Sequence, residues 1–444
     1  MQNSNQGFLE NYFKLKDHGT SIRTEIIAGF TTFITMAYII FVNPLFLADA
    51  GMPHEAAIGA TILASAFATI LMGLYANFPI ALAPGMGLNA FFAYTIVLGM
   101  GLPWETALGA VFISGIIFLI LTITRVRQAI ILAVPRSLRS AIAVGIGLFI
   151  ATIGFNNSGI IVSDPDTLVG LGNLSDPSVQ LVLFGLIFTG FLVIRKIKGA
   201  FLIGVVIITL ISMVFNIGNA TLPIAVTHII GPPPSIGPTL LKLDIMGALG
   251  VGLITVIFSF TFVDLFDTIG TFMGVTRKAG LMDEDGNVPG MDKALTSDAI
   301  GTLFGAVVGT STTTSYIESA AGIEEGGRTG LTSLVTGLLF LAALFFAPLV
   351  TSVPAIATAP VLILIGVLMM TDVLNINFTD LTEAIPAFLT IILMPLTFSI
   401  AQGIAFGFTS YAIFKTLAGR SNEVGLVMYI LMGLFIIQFA FFSY

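Results

Sequence analysis

Four carboxylates sit within apolar stretches of this chain: Asp264, Asp267, Asp298 and Glu318. An ionisable group in that setting is costly and marks a working site by default. No Lys, Arg or His joins them inside an apolar run. The three histidines, His18, His54 and His228, fall in tails or loops. Such a set suits a neutral or cationic ligand and opposes an anion. One carboxylate can accept two N–H bonds at once, which matches a planar heterocycle with adjacent N–H groups. Burial disfavours the charged form of a carboxyl, so the same groups can also carry a proton as driving ion. Sodium is the rival, because carboxylate, hydroxyl and carbonyl oxygens also suit a hard cation.

Each residue has a plainer reading beside the chemical one. Asp264 and Asp267 are three apart and lie on adjacent faces of one helix. One can serve a site while the other bonds a neighbouring helix. Asp298 stands near the start of its run, close to Lys293, where a structural role weighs equally. Glu318 follows a break rich in Ser and Thr. Asn89 is a good helix-capping type, and Phe91 offers either a stacking face or core packing. Thr35 can bond the backbone of its own helix, and Trp104 suits an interfacial anchor.

Several classes fall away. The chain has no cysteine, so disulfides, thiolate metal sites and cysteine nucleophiles are excluded. A His relay and a His-ligated metal lack their residues, and no Gly-x-Ser-x-Gly motif is present. We expect neither an enzyme nor a bound cofactor or metal. Of 444 residues, 56% are hydrophobic and 9% charged. Soluble domains run at about 25% charged. This excludes a soluble globular protein, a disordered chain and a nucleic-acid binder. Long unbroken apolar runs rather than alternating strands point to an all-α polytopic membrane protein. The first 26 residues are polar, with no cleavable signal.

Candidate spans cover residues 27–47, 56–76, 87–102, 104–124, 138–155, 179–194, 200–215, 246–274, 294–309, 316–321 with its lead-in, 329–350, 355–370, 384–398 and 403–417. A further run at 424–442 spans, lies at the interface or re-enters the membrane, and its length favours a span. Of the 17 basic residues only Lys242 falls on the far side. The positive-inside rule then puts the N-terminus in the cytoplasm. The acidic stretch from Asp372 to Asp380 lands on the same side, against the trend, although acids count for little in this rule.

Two breaks occupy matching places. Pro79-Ile-Ala-Leu-Ala-Pro-Gly-Met-Gly-Leu-Asn-Ala-Phe-Phe is extended first and can turn helical at Asn89. Gly309-Thr-Ser-Thr-Thr-Thr-Ser-Tyr-Ile-Glu has the same character. Both are third in a set of seven spans, and an odd number makes the repeats inverted. Matched interruptions point to a transporter's binding site near the midplane. Non-helical backbone at that depth must be buried in protein or line a cavity, and half-helix N-termini aim N–H groups into it. The plainer alternative is that small residues let helices pack closely.

In these segments the chain resembles the adenine/guanine/hypoxanthine permease subgroup of the nucleobase–cation symporter-2 family. The resemblance covers residues 15–420. It rests on the two broken segments, on Thr31-Thr-Phe-Ile-Thr-Met-Ala-Tyr-Ile-Ile-Phe-Val-Asn-Pro and on Asp264-Leu-Phe-Asp-Thr-Ile-Gly-Thr. It implies 14 spans in two inverted repeats of seven, with spans three and ten part strand and part half-helix. It also implies a core domain (27–124 and 245–350) and a gate domain (125–217 and 351–420); the cytoplasmic tail (1–26) follows from the basic residues, and the extra C-terminal helix (424–442) lies outside the family's 14-span plan. The family's substrate carboxylates map to Asp267 and Glu318, and its span-three site to Asn89, Ala90 and Phe91, with Ser319 beside Glu318. Thr271 falls where other branches tune coupling, and the subgroup makes Asp298 essential. Asp264 and Thr35 are the remaining candidates for coupling or support. Glu318 is followed by Ser-Ala-Ala-Gly where other branches carry Asn-Asn-Gly, so its bonding differs in detail.

The expectation is a proton-coupled importer of purine nucleobases in the cell membrane, working by alternating access. Guanine and hypoxanthine are favoured; adenine preference or sodium coupling is the alternative. The partners implied are the base, the proton, the bilayer and a second copy in a homodimer. A passive channel would need a continuous polar lining, and an anion exchanger would need a cation in its site.

Overall fold

The computed structural model describes residues 7–124, 134–217, 230–250, 254–282 and 288–441. Among them, eight helices are long and apolar enough to cross a membrane: Ile22–Asp49, His54–Ala76, Trp104–Ile123, Arg136–Asn157, Pro177–Ile194, Val256–Ala279, Gly330–Val350 and Ala355–Asn375. Shorter apolar helices include Ala200–Phe215, Leu381–Thr397 and Met86–Gly99.

The first helix starts at Ile22, earlier than residue 27, because the Ser21 side chain accepts from the backbone N–H of Thr24 at 3.2 Å. Its first turn carries Glu25, which the sequence reading left in the tail. Glu25 is fully buried. Its carboxylate accepts from the backbone N–H groups of Arg328, Thr329 and Thr332, at 2.8, 3.3 and 3.1 Å, and from the Thr332 hydroxyl at 2.6 Å. The unpaired donors at the start of helix Gly330–Ala343 thus meet a negative charge supplied by another helix. The first span also breaks: Ile22–Met36 ends, Ala37 and Tyr38 intervene, and Ile39–Asp49 resumes. The run read as 246–274 is resolved into Ile245–Ala248 and Ile254–Ala279, and the last one into Leu426–Phe441. That last helix packs on Ile400–Leu417, and Phe435 meets Phe258 edge-on at 5.6 Å.

The helices pack in two sets. Gly330–Ala343 lies on Ile22–Met36 and His54–Leu71, and Met291–Val308 lies on His54–Leu71 and Trp104–Ile123. In the second set Arg136–Asn157 carries Ala355–Met369 and Leu381–Thr397, which in turn packs on Ile400–Leu417. Lipid offers no hydrophobic drive between helices, so association rests on close packing and hydrogen bonds. The second set is tied at one end by a buried cation. Lys415 reaches Glu423 at 2.8 Å, Glu383 at 3.2 Å and Asp380 at 3.4 Å, while Arg420 pairs with Asp380 and Glu423 at 2.6 Å each. These pairs explain why Asp380 lies on the basic side. Hydrogen bonds from Thr382 and Arg420 hold its carboxyl well below the usual carboxylate range.

Two short strands cross between the halves of the first set. β1 (Leu82–Pro84) pairs antiparallel with β4 (Thr313–Ser315), in the register Leu82 with Ser315, Ala83 with Thr314 and Pro84 with Thr313. β2 (Ile161–Asp164) and β3 (Leu168–Leu171) form a separate hairpin. The β1–β4 ladder answers the accounting that a bilayer imposes, since each extended segment supplies the other's backbone partners. Side chains complete it. The Thr69 hydroxyl bonds both the N–H and the carbonyl of Leu82 at 2.9 Å, and Thr302 donates to the Thr313 carbonyl at 3.0 Å. Gly309 makes the entry to β4 possible. Its φ is +102°, and a Cβ there would meet Thr239 at 2.3 Å.

Candidate substrate site between two broken helices

The strands end where the half-helices begin, and the candidate residues gather at that junction. After β1, the chain turns helical at Met86, with Gly85 extended before it. Met86–Ala90 then widens into a π-helical stretch, Phe91–Gly99. After β4, Tyr316 and Ile317 lead to Glu318, which stands at the cap position of Ser319–Glu324. Gly322 lets this half-helix close on the first span, where a Cβ would meet the Thr32 hydroxyl at 2.1 Å.

Glu318 is half-buried. Its Oε1 accepts a 2.5 Å bond from the hydroxyl of Tyr38, and its backbone carbonyl lies 3.4 Å from the Thr35 hydroxyl. Tyr38 was absent from the sequence-derived candidates. The signal that could have flagged it is the helix break on which it sits, hidden inside an apolar run without Gly or Pro at the break itself. Its ring packs edge-on against Phe201 of the Ala200–Phe215 helix at 5.3 Å. Tyr38 therefore touches both a carboxylate beside the first helix set and an aromatic of the Ala200–Phe215 helix, which packs on Ala355–Met369 of the second.

Asp267 is half-buried on Ile254–Ala279, and Asp264 and Asp298 are buried. A hydroxyl chain links two of them. Thr268 donates to Asp298 Oδ2 at 3.0 Å, Thr268 and Thr314 share a bond of 2.9 Å, and the Thr314 hydroxyl lies 3.4 Å from Asp267 Oδ2. Thr314 belongs to β4, so the strand is a wall of the site and also part of the connection. Asp264 lies one turn before Thr268 on the same helix, and its Oδ1 has no hydrogen-bond partner.

The remaining candidates divide. Asn89 is not a helix cap, because the helix already starts three residues earlier, at Met86, with Gly85 as its cap. Its side chain instead joins the two breaks. The amide donates to the Pro84 carbonyl at 3.3 Å, and Oδ1 accepts from Ser311 of the opposite break. Ala90 is fully buried at the end of that helical turn. Phe91 is fully buried as well and packs edge-on against Phe260 at 5.0 Å, so its faces are covered in this conformation. Ser319 is buried, and its hydroxyl accepts from the Ala81 N–H at 3.0 Å, fixing the half-helix to the lead-in of β1. Thr35 bonds the carbonyls of Thr31 and Thr32 at 3.0 and 2.8 Å, the local backbone reading, with Glu318 a longer contact. Thr271 is half-buried one turn beyond Asp267. Tyr316 closes the junction by donating to the Pro84 carbonyl at 2.6 Å.

This arrangement holds carboxylates at a break in the bilayer-depth backbone, with no cation among the residues just named. Residues 23–406 match the family model described as "Permease family". The chain belongs to that family. Two relatives show which branch of it is near. The adenine permease AdeP of Escherichia coli is 48% identical over 440 residues, covering 99% of this permease and 98% of AdeP. The guanine/hypoxanthine permease PbuG of Bacillus subtilis is 45% identical over 444 residues, covering 98% and 100%. Among solved structures, the transmembrane domain of a cyanobacterial bicarbonate transporter, BicA, matches with a TM-score of 0.64 at 15% identity. The match covers 86% of this permease and 97% of that domain. At that identity the likeness concerns the fold alone. The protein is a multi-pass membrane transporter and not an enzyme.

Proposed function

We propose that this permease imports purine nucleobases together with protons by alternating access. The observation that carries the reading is the placement of two carboxylates about β4: Asp267 faces the Thr314 hydroxyl of that strand, and Glu318 follows it at the start of the half-helix. Two acceptor carboxylates suit a base that presents N–H donors along its edges. Guanine and hypoxanthine are the preferred substrates, since the pyrimidine ring of each carries an N–H that adenine lacks. Adenine is the second reading, favoured by the 48% identity to an adenine permease. Phe91 stacks on the base only in a conformation that uncovers its ring.

Proton coupling is supported by a donor count. Asp298 and Asp267 are joined by three links, but the Thr268 and Thr314 hydroxyls own two protons between them. When all three links are made, the third proton sits on one of the two carboxyls. The direction of the chain then says which carboxyl is protonated. A proton arriving at one end reverses both hydroxyls and changes the charge facing the substrate at the other. Asp264 adds a further buried acceptor next to this chain, and Thr271 borders it.

In this reading the set around β1 and β4 is a core of spans one to four and eight to eleven, and the set around Arg136–Asn157 is a gate, in a 14-span plan. The core carries the base past the gate. The N-terminus is cytoplasmic, and the membrane is the cell membrane. The test is uptake of radiolabelled hypoxanthine in cells without purine permeases, with guanine, adenine, xanthine and uracil as competitors. Saturable uptake blocked by guanine supports the reading. No uptake of any purine, with the protein in the membrane, rejects it.

A further inference from the structure

A cavity lies away from Glu318, at the opposite end of the first span from the N-terminus. Its volume is about 260 Å³. It begins beside Val42, one helical turn beyond Tyr38, and follows the same helix to its last residue, Asp49. Its polar lining is Asp49, Tyr94, Asn157 and Thr358, and Phe46 forms an apolar wall. The Tyr94 hydroxyl donates to Asp49 at 2.6 Å and accepts from the Asn157 amide at 3.3 Å. Phe46 and Tyr94 stand edge to face at 5.7 Å.

We propose that this cavity is a second nucleobase site, which holds the base before it reaches Glu318; the proposal rests on the purine reading above. Three features carry it. Drug-sized ligands take pockets of roughly 300–1,000 Å³, so this one fits a smaller guest of the size of a heterocyclic base. Its chemistry suits the same guest: a carboxylate with acceptor capacity beyond one phenol, as at Glu318, together with an amide that both donates and accepts and an aromatic wall. Its position is at the boundary of the two packing sets. Asp49 and Tyr94 come from helices around the β1–β4 junction, whereas Asn157 and Thr358 come from the Arg136–Asn157 and Ala355–Met369 helices. A base bound here touches both packing sets at their boundary. The carboxylate selects neutral or cationic guests and turns away anionic nucleotides.

The absence of cysteine supplies the test. Ala355 lines the cavity and is exposed, so Ala355→Cys places one reactive thiol there without removing a polar group. Maleimide labelling is measured in membranes with and without hypoxanthine, in this background and again with Glu318→Gln, which disables the inner site. Asp267→Asn serves as a second disabled background should Glu318→Gln fail to reach the membrane. Labelling is expected to slow about tenfold at ten times the Kd, in the intact and the disabled backgrounds alike. Adding Asp49→Asn to the disabled background is expected to abolish the protection. Protection that disappears with the inner site reports a conformational change and overturns the proposal. So does protection that is absent throughout or indifferent to Asp49→Asn. Hypoxanthine uptake by the Ala355→Cys chain is run alongside: its loss together with that of the unaltered chain rejects the purine reading itself, whereas uptake without protection rejects only the second site.

Discussion

Replacing Tyr38 by Phe removes one hydroxyl and leaves the ring against Phe201. The lost bond is 2.5 Å long and ends on a carboxylate of the proposed substrate site. A hydrogen bond to a charged group contributes about 1.5–3 kcal/mol. Glu318 is only half-buried, so water partly replaces the hydroxyl, and the lower end of that range applies. About 1.4 kcal/mol is tenfold in an equilibrium constant. Tyr38 uses one of the two oxygens, and the other remains for the base, so the hydroxyl positions Glu318 and does not block it. Tyr38→Phe is therefore expected to raise the KM for hypoxanthine about tenfold. The maximal rate changes little, and the melting temperature falls by no more than the loss of that one bond accounts for. The assay is initial uptake over a range of concentrations, with membrane protein quantified and a thermal shift recorded on purified material. A KM equal to that of the unaltered protein, at normal folding, refutes the positioning argument. A lower KM refutes it in the other direction, since the hydroxyl would then compete with the base.

Other outcomes follow from the same geometry. Thr268→Val cuts the chain between Asp298 and Asp267; accumulation against a gradient is expected to collapse while exchange of internal for external base continues, as read by counterflow. Asn89→Ala takes the acceptor from the Ser311 hydroxyl at the crossing of the two breaks and leaves the Pro84 carbonyl with Tyr316 alone, and thermal stability should fall by about 1–3 kcal/mol, measured by thermal shift before any uptake assay. Lys415→Met removes the cation shared by Asp380, Glu383 and Glu423 and should lower the melting temperature. Glu423 is held down at about 2 by Arg420 and Lys415, and Asp380 lies well below its usual range. A depressed carboxyl stabilises above its ordinary pKa and loses that contribution only as pH falls through the depressed value. The gap in melting temperature between Lys415→Met and the unaltered protein should thus be the same at pH 7 and at pH 5; a gap that closes by pH 5 contradicts this.

The apolar helices and the two breaks were legible because they are matters of composition and of Pro, Gly and β-branched residues. Asp267 and Glu318 stood out as charges where none is cheap. Tyr38 and Thr268 did not, because their roles depend on partners 280 and 30 residues away. Glu25 was missed for a related reason. It lies at the edge of the first apolar run, and only the fold shows that it receives the start of helix Gly330–Ala343. Asn89 was legible as a polar residue at the break, but its type suggested a helix start there, whereas the structure starts that helix at Met86 and has Asn89 clamping one broken segment to the other. Phe91 was legible as an aromatic at the right place, but sequence could not say that Phe260 would cover it.

The likeness to a bicarbonate transporter domain makes a general point concrete, since one fold carries different cargoes and the site decides among them. Here the site holds carboxylates, and its cargo should be a neutral base with a proton. The most direct measurement is hypoxanthine uptake into proteoliposomes of the purified protein, with a pH gradient, acid outside, imposed in the absence of sodium. The account predicts transient accumulation above the external concentration, abolished by a protonophore and by Asp298→Asn. Accumulation driven by a sodium gradient and indifferent to pH, or equilibration without accumulation under either gradient, would contradict it.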